Sequence, residues 1–113
     1  MIRNQRLWYQ VRDLDSARAF YTRKLGFTET SADEDCAMLE RAGMQIAIAE
    51  GEPQSDGPVA SVDVTDIKAE ADHLRGEKVE IGTIVELHDE VRVVDVFDPD
   101  GNRLQLVQQL RDG

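Results

Sequence analysis

Apolar and polar residues alternate from Arg6 to Val11, where Leu7, Tyr9 and Val11 interleave with Arg6, Trp8 and Gln10. A period of two predicts a strand with one apolar face. The period then lengthens. Leu14, Ala17, Phe20, Tyr21 and Leu25 recur at helical spacing behind Asp13, and Gly26 supplies a stop. Three further strand candidates follow, Phe27 to Ala32, Cys36 to Arg41 and Met44 to Glu50, with a turn at Gly43. The same succession begins again at Val59, where Ala60, Val62 and Val64 alternate with Ser61, Asp63 and Thr65. Asp66 opens a second helical stretch carrying Ile67, Ala71 and Leu74, and Gly76 is expected to end it. Val79 to Leu87, Val91 to Phe97 and Arg103 to Gln109 complete the set, the last two joined by Asp98-Pro99-Asp100-Gly101-Asn102.

The chain therefore reads as one βαβββ unit used twice. Val11-Arg12-Asp13-Leu14 and Val64-Thr65-Asp66-Ile67 share the pattern Val-x-Asp-aliphatic at an offset of 53 residues. Asp13 and Asp66 are expected to cap their helices, because a short carboxylate accepts from orphan backbone N–H groups at the positive end of the helix dipole. A sheet with a helix on one face needs its other face covered. Two such units curled around a shared cleft give an α+β fold, a half-open barrel with helices outside. At 113 residues this is a single domain over 1–113, with one module at about 1–52, a linker at about 51–58 and a second module at about 58–113. The concave face is the expected ligand site.

Charge narrows the partners. Thirteen Lys and Arg against 23 Asp and Glu leave a net charge of -10, which repels a phosphate backbone and an anionic membrane. The first 56 residues carry 7 basic and 10 acidic groups (7 - 10 = -3) and the rest 6 and 13 (6 - 13 = -7), so neither half holds a basic patch. One cysteine, Cys36, makes neither an intrachain disulfide nor a Cys-rich zinc site. Met1-Ile2-Arg3-Asn4-Gln5-Arg6 lacks an apolar signal core, and no apolar run reaches the ~18 residues of a membrane span, so a cytoplasmic location is expected.

Val11-Arg12-Asp13-Leu14-Asp15, then Phe20-Tyr21 and Leu25-Gly26-Phe27, and later Phe97-Asp98-Pro99-Asp100-Gly101-Asn102 resemble the vicinal oxygen chelate superfamily. That superfamily includes glyoxalase I, extradiol dioxygenases, fosfomycin-resistance enzymes and bleomycin-resistance proteins, and the resemblance spans nearly the whole chain. It implies the glyoxalase/bleomycin-resistance/dioxygenase fold. In the superfamily's metalloenzymes one ligand lies seven residues before the Val-x-Asp aspartate and another four residues after the glycine of the last hairpin of each module. Carried over, these positions are Arg6 and Val59, then Ala47 counted from Gly43 and Gln105 counted from Gly101. None is His or Glu, and such a set cannot supply the nitrogen or carboxylate donors of a divalent metal site. The resemblance thus points to a metal-free, bleomycin-resistance-like branch with no cofactor, and implies a homodimer with paired clefts.

Strand phase lines the expected cleft with Arg6, Trp8 and Gln10, with Gln45, Ala47 and Ala49, with Ser61 and Asp63, and with Arg103, Gln105 and Val107. Small Ala residues leave room, Trp8 offers a flat face, and amides orient a polar molecule. Structural alternatives stand beside each: packing or a dimer contact for Trp8, an ion pair with Arg6 or Arg103 for Asp63, a cross-strand bond for Gln105. His73 reads as helix surface, and His88, in Glu86-Leu87-His88-Asp89-Glu90, as a solvated tip rather than a zinc ligand. Cys36 near Asp33-Glu34-Asp35 has its thiolate disfavoured by those charges. Phe20 and Tyr21 read as core, and Asp98 to Asn102 as a turn whose carboxylates serve its backbone. The reading favours a binding protein for an aromatic or cationic small molecule, in the manner of drug or antibiotic sequestration. The alternatives are a glyoxalase-like lyase or isomerase or a dioxygenase-related enzyme with an atypical site using Asp63 or Glu50, and an accessory domain that merely dimerises.

Overall fold

The computed structural model describes residues 6–54 and 56–110. Met1 to Gln5, on which the absence of a signal core was read, lie outside the described residues, as do Ser55 in the expected linker and residues 111–113. The first unit contains β1 (Arg6–Val11), α1 (Leu14–Arg23), β2 (Thr28–Ala32), β3 (Cys36–Arg41) and β4 (Met44–Glu50). The second contains β5 (Ala60–Asp63), α2 (Ile67–Gly76), β6 (Glu80–Ile81), β7 (Val85–Leu87), β8 (Val91–Phe97) and β9 (Arg103–Gln109). They form two mixed sheets, ordered β1-β4-β3-β2 and β5-β9-β8-β6, with β7 also on β8. In each, the first strand runs parallel to the last, and the other pairings are antiparallel. The two βαβββ modules of the sequence reading are present, with one correction.

The expected strand Val79 to Leu87 is two short strands. Ile81 pairs with Val96, but Val85 pairs with Val93, so one extra residue enters between Gly82 and Ile84 and shifts the register by one. Such a bulge re-aims the strand: Val85 and Leu87 stand on the same face as Val93 and Val91, opposite the buried Val94 and Val96.

The helix ends also differ from expectation. Asp66 caps α2 through Ala69 N–H, but Asp13 accepts only from Ser16 Oγ, and the first N–H of α1, that of Leu14, goes to Glu50 Oε2 at the end of β4. Gln108 Oε1 does the same for Ile67 in the second unit. In each module a side chain from the last strand thus closes the helix start. At the other end Gly26 takes the left-handed conformation after α1 at φ 76°. Gly76, expected to end α2, is its last helical residue; Lys78 takes the left-handed position at φ 63° instead, while Val79 N–H bonds Leu74 O and Lys78 N–H bonds Arg75 O.

Each helix covers one face of its own sheet, and the buried residues form one core shared by both modules. The seam between modules is polar as well as apolar. Tyr9 Oη accepts from Ala60 N–H at 2.9 Å and donates to Arg103 O at 2.6 Å, and Asn102 Nδ2 donates to Gln10 O at 3.0 Å. Asp98, buried in the β8–β9 turn, accepts from Tyr21 Oη at 2.7 Å, from the N–H groups of Asp100 and Asn102, and from Asn102 Nδ2. Arg41 bridges Leu25 O and Glu70 between the helices.

This seam dictates the alkaline limit of the fold. Burial pushes the Tyr9 hydroxyl up to about 12, and burial beside the Asp98 carboxylate raises Tyr21 well above its ordinary range. The unfolded chain ionises both near pH 10. Above that, the unfolded state releases protons the native state retains, so stability present below pH 10 is lost as pH rises. Tyr9 alone should remove about 2 to 3 kcal/mol by pH ~12. Urea unfolding followed against pH checks this. The chain's only two tyrosines are these, so tyrosinate absorbance should appear together with unfolding and not before it.

Candidate functional site

The faces that no helix covers carry the candidate residues. On the first sheet, alternation places Trp8 and Gln10 of β1 opposite the buried Tyr9 and Val11, and Gln45, Ala47 and Ala49 of β4 opposite Met44, Ile46 and Ile48. Register then arranges rows across the strands. Trp8, Ala47 and Met38 stand side by side, followed by Gln10, Ala49 and Cys36; on the other side Gln45 pairs with Glu40, and Arg6 occupies the register position beside it. Trp8 is 54% exposed, the highest of the large apolar side chains described, whereas Ala47 has no exposed surface. The Gln10 amide lies over Gly51, where a Cβ would stand 3.1 Å from the Gln10 amide carbon.

Gln45 shows one unmet demand. Its Oε1 is shut off from solvent and has no hydrogen-bond partner among the described residues. An enclosed acceptor left unpaired costs about 1–3 kcal/mol. Beside it lies a cavity of about 130 Å³ lined by Thr30, Ser31, Met38, Leu39 and Gln45. It forms where the β2–β3 register breaks between Glu29 and Ser31.

On the second sheet, Ser61 pairs with Gln105, which faces Asp95, and Asp63 pairs with Val107, which faces Val93. Asp95 organises this face: its carboxylate takes Arg103 Nη1 at 3.2 Å and Gln105 Nε2 at 3.3 Å. The ion pair considered for Arg103 is therefore made with Asp95 and not with Asp63, which lies exposed. Gln105 is committed across the strand. Arg103 and Val59 also line a cavity of about 410 Å³, with Phe97, Asn102 and the linker residues Gln54, Asp56, Gly57 and Pro58. That volume suits a small organic molecule.

The candidates thus gather in two groups, one per sheet, and the Tyr9 and Asn102 side chains link the modules through the main-chain carbonyls of two of them, Arg103 O and Gln10 O. Sequence reasoning missed Cys36, Met38 and Glu40 on β3 and Val93, Asp95 and Phe97 on β8. The signal was available, because the same alternation that exposes Trp8 puts Val94 and Val96 inside and Asp95 outside. Among the described residues, no three His, Cys, Asp or Glu side chains converge. The superfamily's ligand positions do not fit a metal: Ala47 is an enclosed methyl, Val59 an aliphatic side chain, and the Gln105 amide serves Asp95. Glu50, weighed as an acid-base group, is bound to the Leu14 N–H. His73 is exposed on α2. His88 and Asp89 both take positive φ (54° and 56°) in the three-residue turn His88-Asp89-Glu90 between β7 and β8, a solvated hairpin tip. No helix described is long and apolar enough to cross a membrane.

Two βαβββ modules, each a mixed sheet with a helix on one face, define the fold class. Residues 5–106 match the sequence profile of the Glyoxalase/Bleomycin resistance protein/Dioxygenase superfamily, and the chain belongs to that family. Among curated proteins none matches the sequence. Solved structures similar to it include TnmS3, an antibiotic binding protein from Streptomyces sp. CB03234, at TM-score 0.81 and 18% identity, covering 96% of this chain and 97% of that one. A bleomycin resistance determinant encoded on the transposon Tn5 superposes at TM-score 0.78 and 18% identity, covering 96% and 98% of the two chains. Lactoylglutathione lyase from Agrobacterium tumefaciens follows at TM-score 0.75 and 12% identity, covering 92% and 91%. At such identities the likeness is one of fold, shared by binders and an enzyme alike.

Proposed function

We propose that this chain is a metal-free small-molecule binding protein that sequesters an aromatic, cationic guest against its open sheet faces, and that it does so as a homodimer. The observation that carries the reading is Trp8, a large aromatic side chain left 54% exposed on a strand face beside small and amide side chains. An exposed indole beside a floor of alanines favours stacking over chemistry. A net charge of -10 raises the local concentration of a cation. The donor set argues against the lyase and dioxygenase alternatives: Ala47, Val59 and Gln105 offer no free metal ligand, Glu50 is bound to the Leu14 N–H, and the exposed Asp63 belongs to no group of three metal-binding side chains among the described residues. The antibiotic-binding and bleomycin-resistance neighbours support the choice of guest class.

Trp8 is the only tryptophan, so a guest that stacks on it changes the protein's indole emission. Screening cationic aromatic natural products by that emission should find a binder that stabilises the fold by about 2.7 kcal/mol at a hundredfold excess over its dissociation constant. Trp8→Ala should weaken the same guest at least about tenfold while leaving the unfolding midpoint nearly unchanged, because so exposed a side chain contributes little to folding. Unchanged affinity in the folded variant would falsify the role of Trp8 and the reading built on it.

A further inference from the structure

We propose that the open face of the first module forms a slot, walled by Trp8 and Met38 over a floor of Ala47 and Ala49, that selects a flat aromatic guest carrying a hydrogen-bond donor for Gln45. The inference deepens the binding reading and rests on it. Three observations meet here. The first is spacing: Trp8 and Met38 flank Ala47 in one row, on strands to either side of β4. Two inter-strand steps separate the walls by roughly 9 to 10 Å. A ring held between two surfaces needs about 7 Å, two van der Waals separations of ~3.5 Å. One planar ring fits between indole and thioether, and a bulky, non-planar molecule does not. Alanine at 47 and again at 49 keeps the floor low for two rows, so the slot has length as well as width.

The second observation is closure. Ala47 has no exposed surface on a face without a helix, while Trp8 remains half exposed. Neighbouring groups cover this floor, and a guest lying on it would take the place of that covering. Met38 suits the moving wall, because an unbranched thioether adapts its shape and its sulfur contacts aromatic rings favourably. The third is the enclosed Gln45 Oε1, one row from Ala47 on the same strand face, which has no donor among the described residues. Its neighbouring cavity, lined by Met38 and Gln45 together, joins the polar end to the wall. A ring amino or amide N–H reaching past Met38 meets that acceptor. The acidic charge of the chain favours a cationic form of the same ring.

Three probes separate shape from charge and from donor: proflavine, a flat cation with two amino groups; 10-methylacridinium, a flat cation of the same ring without them; and tetraphenylphosphonium, a bulky cation. Titrations by indole emission and calorimetry should rank proflavine tightest, with tetraphenylphosphonium at least about tenfold weaker. Ala47→Leu fills the floor and should cost proflavine at least about tenfold. Because Ala47 is fully enclosed, Ala49→Leu serves as a companion less prone to misfolding, expected to weaken binding in the same direction, as is Met38→Ala. Gln45→Met should erase the preference for proflavine over 10-methylacridinium. If folded Ala49→Leu and Met38→Ala bind proflavine as wild type does while Trp8→Ala does not, the slot is wrong and the Trp8 reading survives. If Trp8→Ala is also unaffected, both fail. Equal affinity for tetraphenylphosphonium, or no binding of proflavine at millimolar concentration, overturns the slot alone.

Discussion

Asp98→Ala should destabilise the protein by about 3 to 5 kcal/mol, enough to unfold much of a marginally stable domain of this size. Asp98 is 4% exposed and accepts four hydrogen bonds: one from the Tyr21 hydroxyl, two from the backbone of its own turn, one from the Asn102 side chain. Removing the carboxylate leaves those donors buried and unpaired, and each enclosed orphan costs about 1–3 kcal/mol. The effect crosses the molecule, since Tyr21 belongs to the first module and Asp98 to the second. Tyr21→Phe removes one of the four bonds together with its donor, so it should cost about 1 to 2 kcal/mol. Urea unfolding of the two variants measures the ratio. If Asp98→Ala costs no more than Tyr21→Phe, the turn holds itself and the seam between modules is not polar in origin.

The same residue shows where sequence was informative and where it stopped. Asp98-Pro99-Asp100-Gly101-Asn102 announces a turn, and the carboxylate does bond the turn's own N–H groups. Nothing local announces Tyr21, 77 positions earlier, as its fourth partner. Repetition of Val-x-Asp located both helices, because capping chemistry and apolar period agree over a few residues. It misplaced the cap of α1, since Glu50 is remote in sequence and reaches Leu14 only once β4 lies beside β1. The break between β6 and β7 left no mark in the apolar pattern, because a one-residue slip changes register rather than composition. For the site, alternation alone put Trp8, Gln10, Gln45 and Ala47 on one face. The middle strands follow the same rule, yet which of them lies beside β4 or β9 depends on strand order. Met38 and Asp95 therefore became site residues only when the order was known. Tyr9 reads as an apolar core position, and its hydroxyl turns out to join Ala60 and Arg103 across the seam.

Wild-type protein at micromolar concentration should sediment at twice the 12.7 kDa chain mass, and Val85→Asp should return it to the mass of one chain. The expectation follows from what the second open face exposes. Val85 and Leu87 are 45% and 43% exposed, and register sets them beside Val93 and Val91, with Val107 next in the row. One end of this face is therefore a continuous apolar patch, while the other end is held by the Asp95–Arg103 ion pair. Apolar area of that kind on a sheet without a helix gains free energy by leaving water, at about 25 cal/mol per Å². A second copy of the chain offers a matching unpartnered face, and a two-fold axis lets each copy use the same patch at once. An aspartate at position 85 stands on a short edge strand and disturbs the monomer little, yet would bury an unpaired charge in the seam. Loss of the dimer with an unchanged unfolding transition of the isolated chain is the expected result. A wild-type mass of one chain removes the homodimer, and a Val85→Asp variant that still pairs moves the contact to another face of the molecule.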